Sequence, residues 1–326
     1  MLCPTTFFGV PQGSQTTPDL LEGLTKQCSD INGLTSGRYL NFIVWPIYST
    51  APQPTGGPLI RLEHVTHRYA NGAPALRDIN LEFDSSRLTV LIGPSGAGKS
   101  SLIRVINGLV KPSEGTVTVD GVQLTRSSAA TTRAVRRCIG MVFQGFNLVK
   151  RLSALENVLL GRLGYMSSFS STFKLYSKAD RELALNLLER VGIADQAWQR
   201  ADTLSGGQQQ RVAIARALAQ QPKLILADEP ISALDPASSE AVMGLLVDIQ
   251  RRDGIAVIAN LHHLDAVRQY ADRVIALKQG EVAFDGPPLA LDQATTDDLY
   301  FGESQSALNA PAAPYPAEPR SEALAS

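Results

Sequence analysis

The sequence predicts an α/β fold: a central sheet of buried strands, a smaller antiparallel β subdomain beside it, and an inserted helical subdomain. Three observations carry this. The apolar run Leu88-Thr89-Val90-Leu91-Ile92 leads into the glycine-rich stretch Gly93-Pro94-Ser95-Gly96-Ala97-Gly98-Lys99-Ser100 and then into a helical pattern, a strand–loop–helix unit. Short apolar runs recur at Ile139–Phe143, Leu224–Ala227, Ile255–Ala259 and Val274–Leu277, the texture of strands covered on both faces. Between Leu152 and Gln199 that series is broken by helical spacing, as at Leu183, Leu187, Leu188 and Val191.

Taken in order, residues 1–57 are rich in Thr, Gly, Pro and Ser without periodicity and end in a Pro/Gly linker, so they read as a poorly ordered extension. A second expectation for this segment is that the natural start lies downstream; an intact native mass that included Met1 would exclude it. From Leu59 the texture changes. Alternation over Leu59–Val65 and Ile79–Phe83 predicts strands with one buried face. Ser101–Asn107 reads as a helix ending at Gly108, and the final hairpin turns at Gln279-Gly280 between Arg273–Lys278 and Glu281–Asp285. The domain organisation expected is therefore a folded domain over 58–303, with the helical subdomain at about 150–215, and a disordered Ala/Pro/Ser tail over 304–326.

The bulk numbers narrow the function classes. The 326 residues are 44% hydrophobic and 19% charged with a net charge of −1, a composition that gives no electrostatic case for a nucleic-acid partner. The cysteines Cys3, Cys28 and Cys138 are scattered, lack metal spacing and suit a reducing compartment. No apolar run approaches the roughly eighteen residues that span a bilayer. Phe42–Tyr48 is short, broken by Pro46, and has no basic segment before it, so it does not read as a signal peptide. A chain of this kind serves a membrane by docking on it.

The chemistry is concentrated in three places. In Gly93–Ser100 the glycines let successive N–H groups face a phosphate and the following helix adds positive potential. Lys99 is expected to reach the β- and γ-phosphates of a nucleotide and the Ser100 hydroxyl to ligate Mg²⁺, with Ser101 completing the loop's edge. Leu224–Pro230 is an apolar strand that delivers Asp228, positioned to hold Mg²⁺, and Glu229, positioned to orient or deprotonate a water. In Leu204-Ser205-Gly206-Gly207-Gln208, Ser205 caps the next helix, Gln208 closes a capping box, and the glycines permit close backbone approach. That makes a second anion site at a helix start.

Together these residues resemble the ATP-binding-cassette (ABC) ATPases, and the Leu204–Gln208 run is the specific mark. A given five-residue string occurs by chance in roughly one chain in ten thousand of this length. The resemblance implies a phosphate-loop NTPase core that binds ATP with Mg²⁺, with Asp228 as metal ligand and Glu229 as catalytic base. Gln144 resembles the Q-loop glutamine that touches Mg²⁺ and water and links the site to the membrane partner. Tyr69 resembles the aromatic that stacks on adenine, and Ser232–Asp235 the D-loop at the dimer interface. The switch histidine follows the strand Ile255–Ala259: alignment favours His262, and His263 stays open. The resemblance also implies a head-to-tail homodimer in which Ser205, Gly206 and Gly207 of one subunit cover the γ-phosphate held by Lys99 of the other, with Gln208 among the nucleotide-binding residues.

Without membrane spans, a second cassette or long heptads, the resemblance narrows to an importer ATPase on the cytoplasmic face of the inner membrane. It would dock on two integral-membrane permease subunits and serve, indirectly, a periplasmic solute-binding protein. Gln144–Gly164, Arg200-Ala201-Asp202 and Phe284–Pro288 are similar to the phosphonate-importer ATPases over about residues 59–302, while His263 departs from the glutamine expected there. The expectation is an ATPase for phosphonates or related phosphorus oxyanions. The alternatives are an importer ATPase for another substrate such as a polar amino acid, a non-transport ABC ATPase, and a phosphate-loop kinase, which has no need of Leu204–Gln208.

Overall fold

A computed structural model describes residues 59–85, 87–166 and 175–308, with side chains as far as Tyr300. The extension expected over 1–57 lies outside the described residues.

The alternating segments form strands as their patterns dictate. β1 (Ile60–Arg68) and β2 (Pro74–Phe83) pair antiparallel, burying Ile60, Leu62, Val65, Ile79, Leu81 and Phe83 on one side. β4 (Glu114–Val119) adds to β1 and carries the short β5 (Val122–Gln123), giving a four-stranded sheet of order β2-β1-β4-β5. This last hairpin was not anticipated, yet its signal is in the chain. Asp120-Gly121 takes left-handed φ angles of 49° and 74° between Val117/Val119 and Val122, as a two-residue hairpin turn requires. The same geometry recurs at the expected Gln279-Gly280 turn, with φ of 52° and 83°.

The apolar runs build a second, six-stranded sheet of order β10-β9-β3-β8-β7-β6. Here β3 is Leu88–Ile92, β6 Ile139–Val142, β7 Leu224–Asp228, β8 Ala256–Asn260, β9 Arg273–Lys278 and β10 Glu281–Gly286. All neighbours are parallel except β10, which closes the hairpin with β9. Both faces are covered, which is why these strands read as continuous apolar runs. On one face Leu91, Leu226, Ile258 and Ile275 pack with α1 (Lys99–Ile106) and the antiparallel sheet. On the other, Val90, Ile225, Val257 and Val274 pack with the helical insert.

After α2 (Ala129–Arg137), the insert comprises α3 (Ala154–Leu159), α4 (Lys178–Arg190) and α5 (Gly206–Ala219). Each of these three begins with a capping box: Ser153 with Glu156, Ser177 with Asp180, Ser205 with Gln208. Leu187, Leu188 and Val191 are buried as their spacing predicts, and Leu183 is partly buried. α6 (Pro236–Asp253) and α7 (Leu264–Tyr270) follow β7 and β8. The last helix, α8 (Gln293–Leu308), runs past residue 304, so the first residues of the expected disordered tail are helical. Asp292 accepts from the Thr295 N–H at 2.7 Å and Leu299 is buried, so the helix is nucleated on the core and propagates at little further cost. Residues 309–326 lie outside the described residues. Among the described residues no helix is long and apolar enough to cross a membrane.

Candidate functional site

The carboxyl ends of β3, β8, β7 and β6 lie side by side, and a parallel sheet offers its ligand crevice at that edge. The phosphate loop, Gln144, the Asp228-Glu229 pair and His262 all stand at or just after these strand ends.

The phosphate loop follows β3. Gly93 and Gly98 have φ of 135° and 105°, and a Cβ would stand 2.1 Å from the Leu277 carbonyl oxygen at the first and 2.5 Å from that of Ala75 at the second. The loop is thus clamped between the two sheets at points that only glycine allows. Ala97 N–H donates to the Pro94 carbonyl at 3.2 Å and the Gly280 N–H to that of Ala97 at 3.0 Å, while Ser95 and Gly96 stay exposed at the tip. Lys99 is only 5% exposed, and its Nζ donates to the carbonyls of Gly93 (2.7 Å) and Pro94 (2.9 Å). Burial pulls its pKa below the usual lysine range, opposed by the charges of Glu229 and Asp228. Among the described residues this ammonium makes no ion pair, and an anion held in the loop would give it one.

At the end of β7, Asp228 Oδ1 accepts from Ser100 Oγ at 3.2 Å and from Asn260 Nδ2 at 2.9 Å. Glu229 stands one residue on, in the left-handed region at φ 51°. Its carboxylate is held from two sides: Gln144 Nε2 donates to Oε2 at 2.7 Å, and His262 Nε2 lies 2.8 Å from Oε1. Its carbonyl accepts from Ser232 Oγ at 3.2 Å. His263 instead occupies the N-cap of α7 and is exposed. Of the two histidines, His262 is the one that meets Glu229.

Tyr69 hydrogen-bonds Ser101 Oγ at 2.9 Å, packs edge-on against His67, and leaves its ring 49% exposed beside α1. The Leu204–Gln208 run sits apart from this cluster. Ser205 is exposed at the N-cap of α5, where its N–H donates to Gln208 Oε1 at 2.9 Å and its Oγ accepts from the Gln208 N–H at 3.3 Å. Gly207 is buried against the start of α6, and a Cβ there would meet Ser238 Oγ at 2.5 Å and its Cβ at 2.8 Å. Gly207→Ala is therefore expected to destabilise the fold by about 1–3 kcal/mol, the usual cost of overpacking. The paired Gly207→Ala/Ser238→Gly variant is expected to regain most of that loss in chemical denaturation.

The cluster thus joins Lys99, Ser100, Asp228, Glu229, Gln144 and His262. One residue in it carried no signal of its own: Asn260, a lone asparagine at a strand end. It is 1% exposed and paired in register with Asp228 across β7 and β8, and among the described residues its buried Oδ1 has no hydrogen-bond partner. Among the described residues no group of three His, Cys, Asp or Glu side chains could hold a metal. The oxygen donors Ser100 and Asp228, 3.2 Å apart, instead suit a hard cation that keeps several waters.

Residues 76–232 match the family described as ABC transporter. The chain is 48% identical over 242 residues to the phosphonates import ATP-binding protein PhnC 3 of Halalkalibacterium halodurans, covering 74% of this chain and 94% of that one. It is 50% identical over 244 residues to PhnC of Thiobacillus denitrificans, covering 75% and 93%. Among solved structures, the dimeric post-hydrolysis state of the ATP-binding cassette MJ0796 bound to ADP and Pi matches with TM-score 0.61 at 38% identity over 70% of this chain and 98% of that one. The cbiO1 subunit from Clostridium perfringens, part of the cbiONQ transporter complex, matches with TM-score 0.64 at 30% identity over 77% and 99%.

Proposed function

The chain belongs to the ATP-binding subunits of ABC transporters, in the branch of the phosphonate import ATP-binding proteins, and from that premise we propose how its residues hydrolyse ATP and what they serve. It is an importer ATPase that couples ATP hydrolysis to phosphonate uptake. The observation that carries the residue assignment is the Glu229 carboxylate held between Gln144 and His262 beside Lys99 and Asp228.

ATP's β- and γ-phosphates lie along the loop Gly93–Ser101, where the backbone N–H groups and Lys99 meet their charge. Tyr69 presents its exposed ring to the adenine. Ser100, Asp228 and Gln144 would hold Mg²⁺, which neutralises charge between the phosphates when bound. Asn260 fixes the Asp228 carboxylate. Glu229 accepts a proton from the water that attacks the γ-phosphorus as the bond to the bridging oxygen breaks, and Gln144 and His262 hold the carboxylate in line. Ser205, Gly206, Gly207 and Gln208 complete the site from a second copy of the chain, so ATP closes a homodimer.

The dimer works on the cytoplasmic face of the inner membrane, on two permease subunits fed by a periplasmic binding protein. A groove of about 560 Å³ between α2 and the 3-10 turn Leu160–Tyr165 supports that docking, since it is lined by Arg133, Arg136 and Arg137 on one side and Leu160 and Tyr165 on the other. The assembly from the chain's own gene neighbourhood, reconstituted in proteoliposomes, tests the cargo. Uptake of a phosphonate that depends on ATP and on the binding protein is expected. Uptake of a polar amino acid instead, or ATPase activity stimulated by DNA or RNA, overturns the reading.

A further inference from the structure

Arg216 lies on the half-buried face of α5, three turns beyond Ser205, and burial pulls its pKa downward. Among the described residues it makes no ion pair. Its guanidinium donates instead to two main-chain oxygens, from Nη1 to the Asn147 carbonyl at 2.6 Å and from Nη2 to the Phe146 carbonyl at 3.1 Å. A desolvated guanidinium spent on carbonyls has to be geometrically rewarded, because a carboxylate would compensate the charge better.

The segment it grips is unusual. Gly145, Phe146 and Asn147, directly after Gln144, are consecutive left-handed residues with φ of 74°, 66° and 49°. For the two that are not glycine this conformation costs on the order of 1–3 kcal/mol each and persists only where surroundings impose it. The turn's own bonds, Asn147 N–H to the Gly145 carbonyl at 2.7 Å and Phe146 N–H to the Phe143 carbonyl at 3.3 Å, are short-range. Asn157 anchors the chain two residues on, at Val149, and the fork of Arg216 is what ties Phe146 and Asn147 themselves to α5. A second, independent contact joins the same segments: Phe146 Cζ stands 3.6 Å from the point where a Cβ would grow on Gly206, with Leu234 at 3.3 Å.

We propose that Arg216 is a positioning residue for hydrolysis: its guanidinium ties the left-handed turn at Phe146–Asn147 to α5 and thereby sets Gln144 against Glu229. The Leu204–Gln208 run and Gln144 stand at opposite ends of one mechanical link. A shift of α5 on its way to the closed dimer moves the Phe146 and Asn147 carbonyls with it and carries the Gln144 amide, now 2.7 Å from Glu229, along. Lysine is no substitute, because a single ammonium lacks the planar fork that spans two successive carbonyls.

This inference rests on the role assigned above to Gln144, and a double-mutant cycle separates the two. Full-length chains carrying Gln144→Ala, Arg216→Lys and both are assembled with their permease subunits, and kcat, KM and the ATP dissociation constant are measured for each. Arg216→Lys is expected to lower kcat about tenfold, less than the hundredfold that a full ångström of misplacement can cost, with KM and ATP affinity within about twofold of the parent. In the Gln144→Ala background the same substitution is expected to change kcat by less than about twofold, because its route of action is gone. Multiplicative effects of the two substitutions overturn the proposal. An unchanged kcat in Gln144→Ala alone overturns the role of Gln144 instead. Arg216→Gln, which removes the buried charge along with the fork, runs the same cycle where the lysine variant fails to fold, and the same outcomes apply.

Discussion

Glu229→Gln is expected to retain ATP and to slow its hydrolysis by about 10²–10⁴-fold, the usual worth of a positioned general base. In barrier terms that is about 3–5 kcal/mol. The structure explains why the effect should fall on chemistry alone. The amide has the shape of the carboxylate, so it still accepts from Gln144 and still faces His262, whose present contacts are at 2.7 and 2.8 Å. The Lys99 contacts with Gly93 and Pro94 involve no atom of residue 229, so the nucleotide's anchor is untouched. What the amide cannot do is take a proton. Glu229 is held at φ 51°, a conformation that a non-glycine residue adopts at a cost and that aims its side chain between Gln144 and His262. Strain kept for geometry alone would let the glutamine variant turn over normally; strain kept to aim a base would not. Single-turnover hydrolysis with excess protein reads the difference directly, and near-parental turnover removes Glu229 from its role.

The motifs legible in the sequence were those whose chemistry is packed into consecutive residues. A phosphate loop needs its glycines, lysine and serine at fixed spacing because one backbone turn makes the whole cradle, so Gly93–Ser101 could be read with its strand and helix. The buried strands were legible for a related reason: burial on both faces forbids polar side chains, and the apolar runs mark the sheet. Contacts set by strand order were not. Asn260 meets Asp228 only because β8 lies beside β7 in that register, and a one-residue slip would turn its amide to the other face. The same phase decides between the two histidines, which adjacent positions and residue type leave equivalent. Arg216 stands in the helix that follows Gln208, yet its partners are carbonyls, and main-chain acceptors leave no trace in residue identity. The β4–β5 hairpin was missed although its Asp-Gly turn stood in the open.

Ser205→Arg is expected to abolish ATP-driven dimerisation while leaving ATP binding by the single chain intact. Ser205 is exposed, and its hydrogen bonds go to Gln208 within the capping box. Losing that cap costs about 1 kcal/mol, too little to unfold the chain. None of the bonds that hold Lys99, Asp228 or Glu229 runs through it, so monomer affinity for ATP has no reason to change. The surface it belongs to has a different job. α5 starts with two glycines, and its N-terminus carries positive helix potential. A cationic side chain could in principle strengthen contact with a phosphate, so charge alone does not predict the outcome. Bulk does, because an arginine at the exposed N-cap takes up the space through which a partner's phosphate would reach the helix start, and it sits unfavourably at the positive end of the helix. A loss of at least about 100-fold in dimer affinity, or about 2.7 kcal/mol, is expected. Sedimentation velocity with ATP in the Glu229→Gln background, where the closed state persists, measures it. Ser205→Ala, which loses the cap but adds no bulk, separates the two contributions: a dimer nearly as tight as the parent's assigns the effect to space rather than to the cap. A Ser205→Arg dimer of unchanged affinity would mean that the second anion site faces something other than the partner's nucleotide, and the shared site would have to be abandoned.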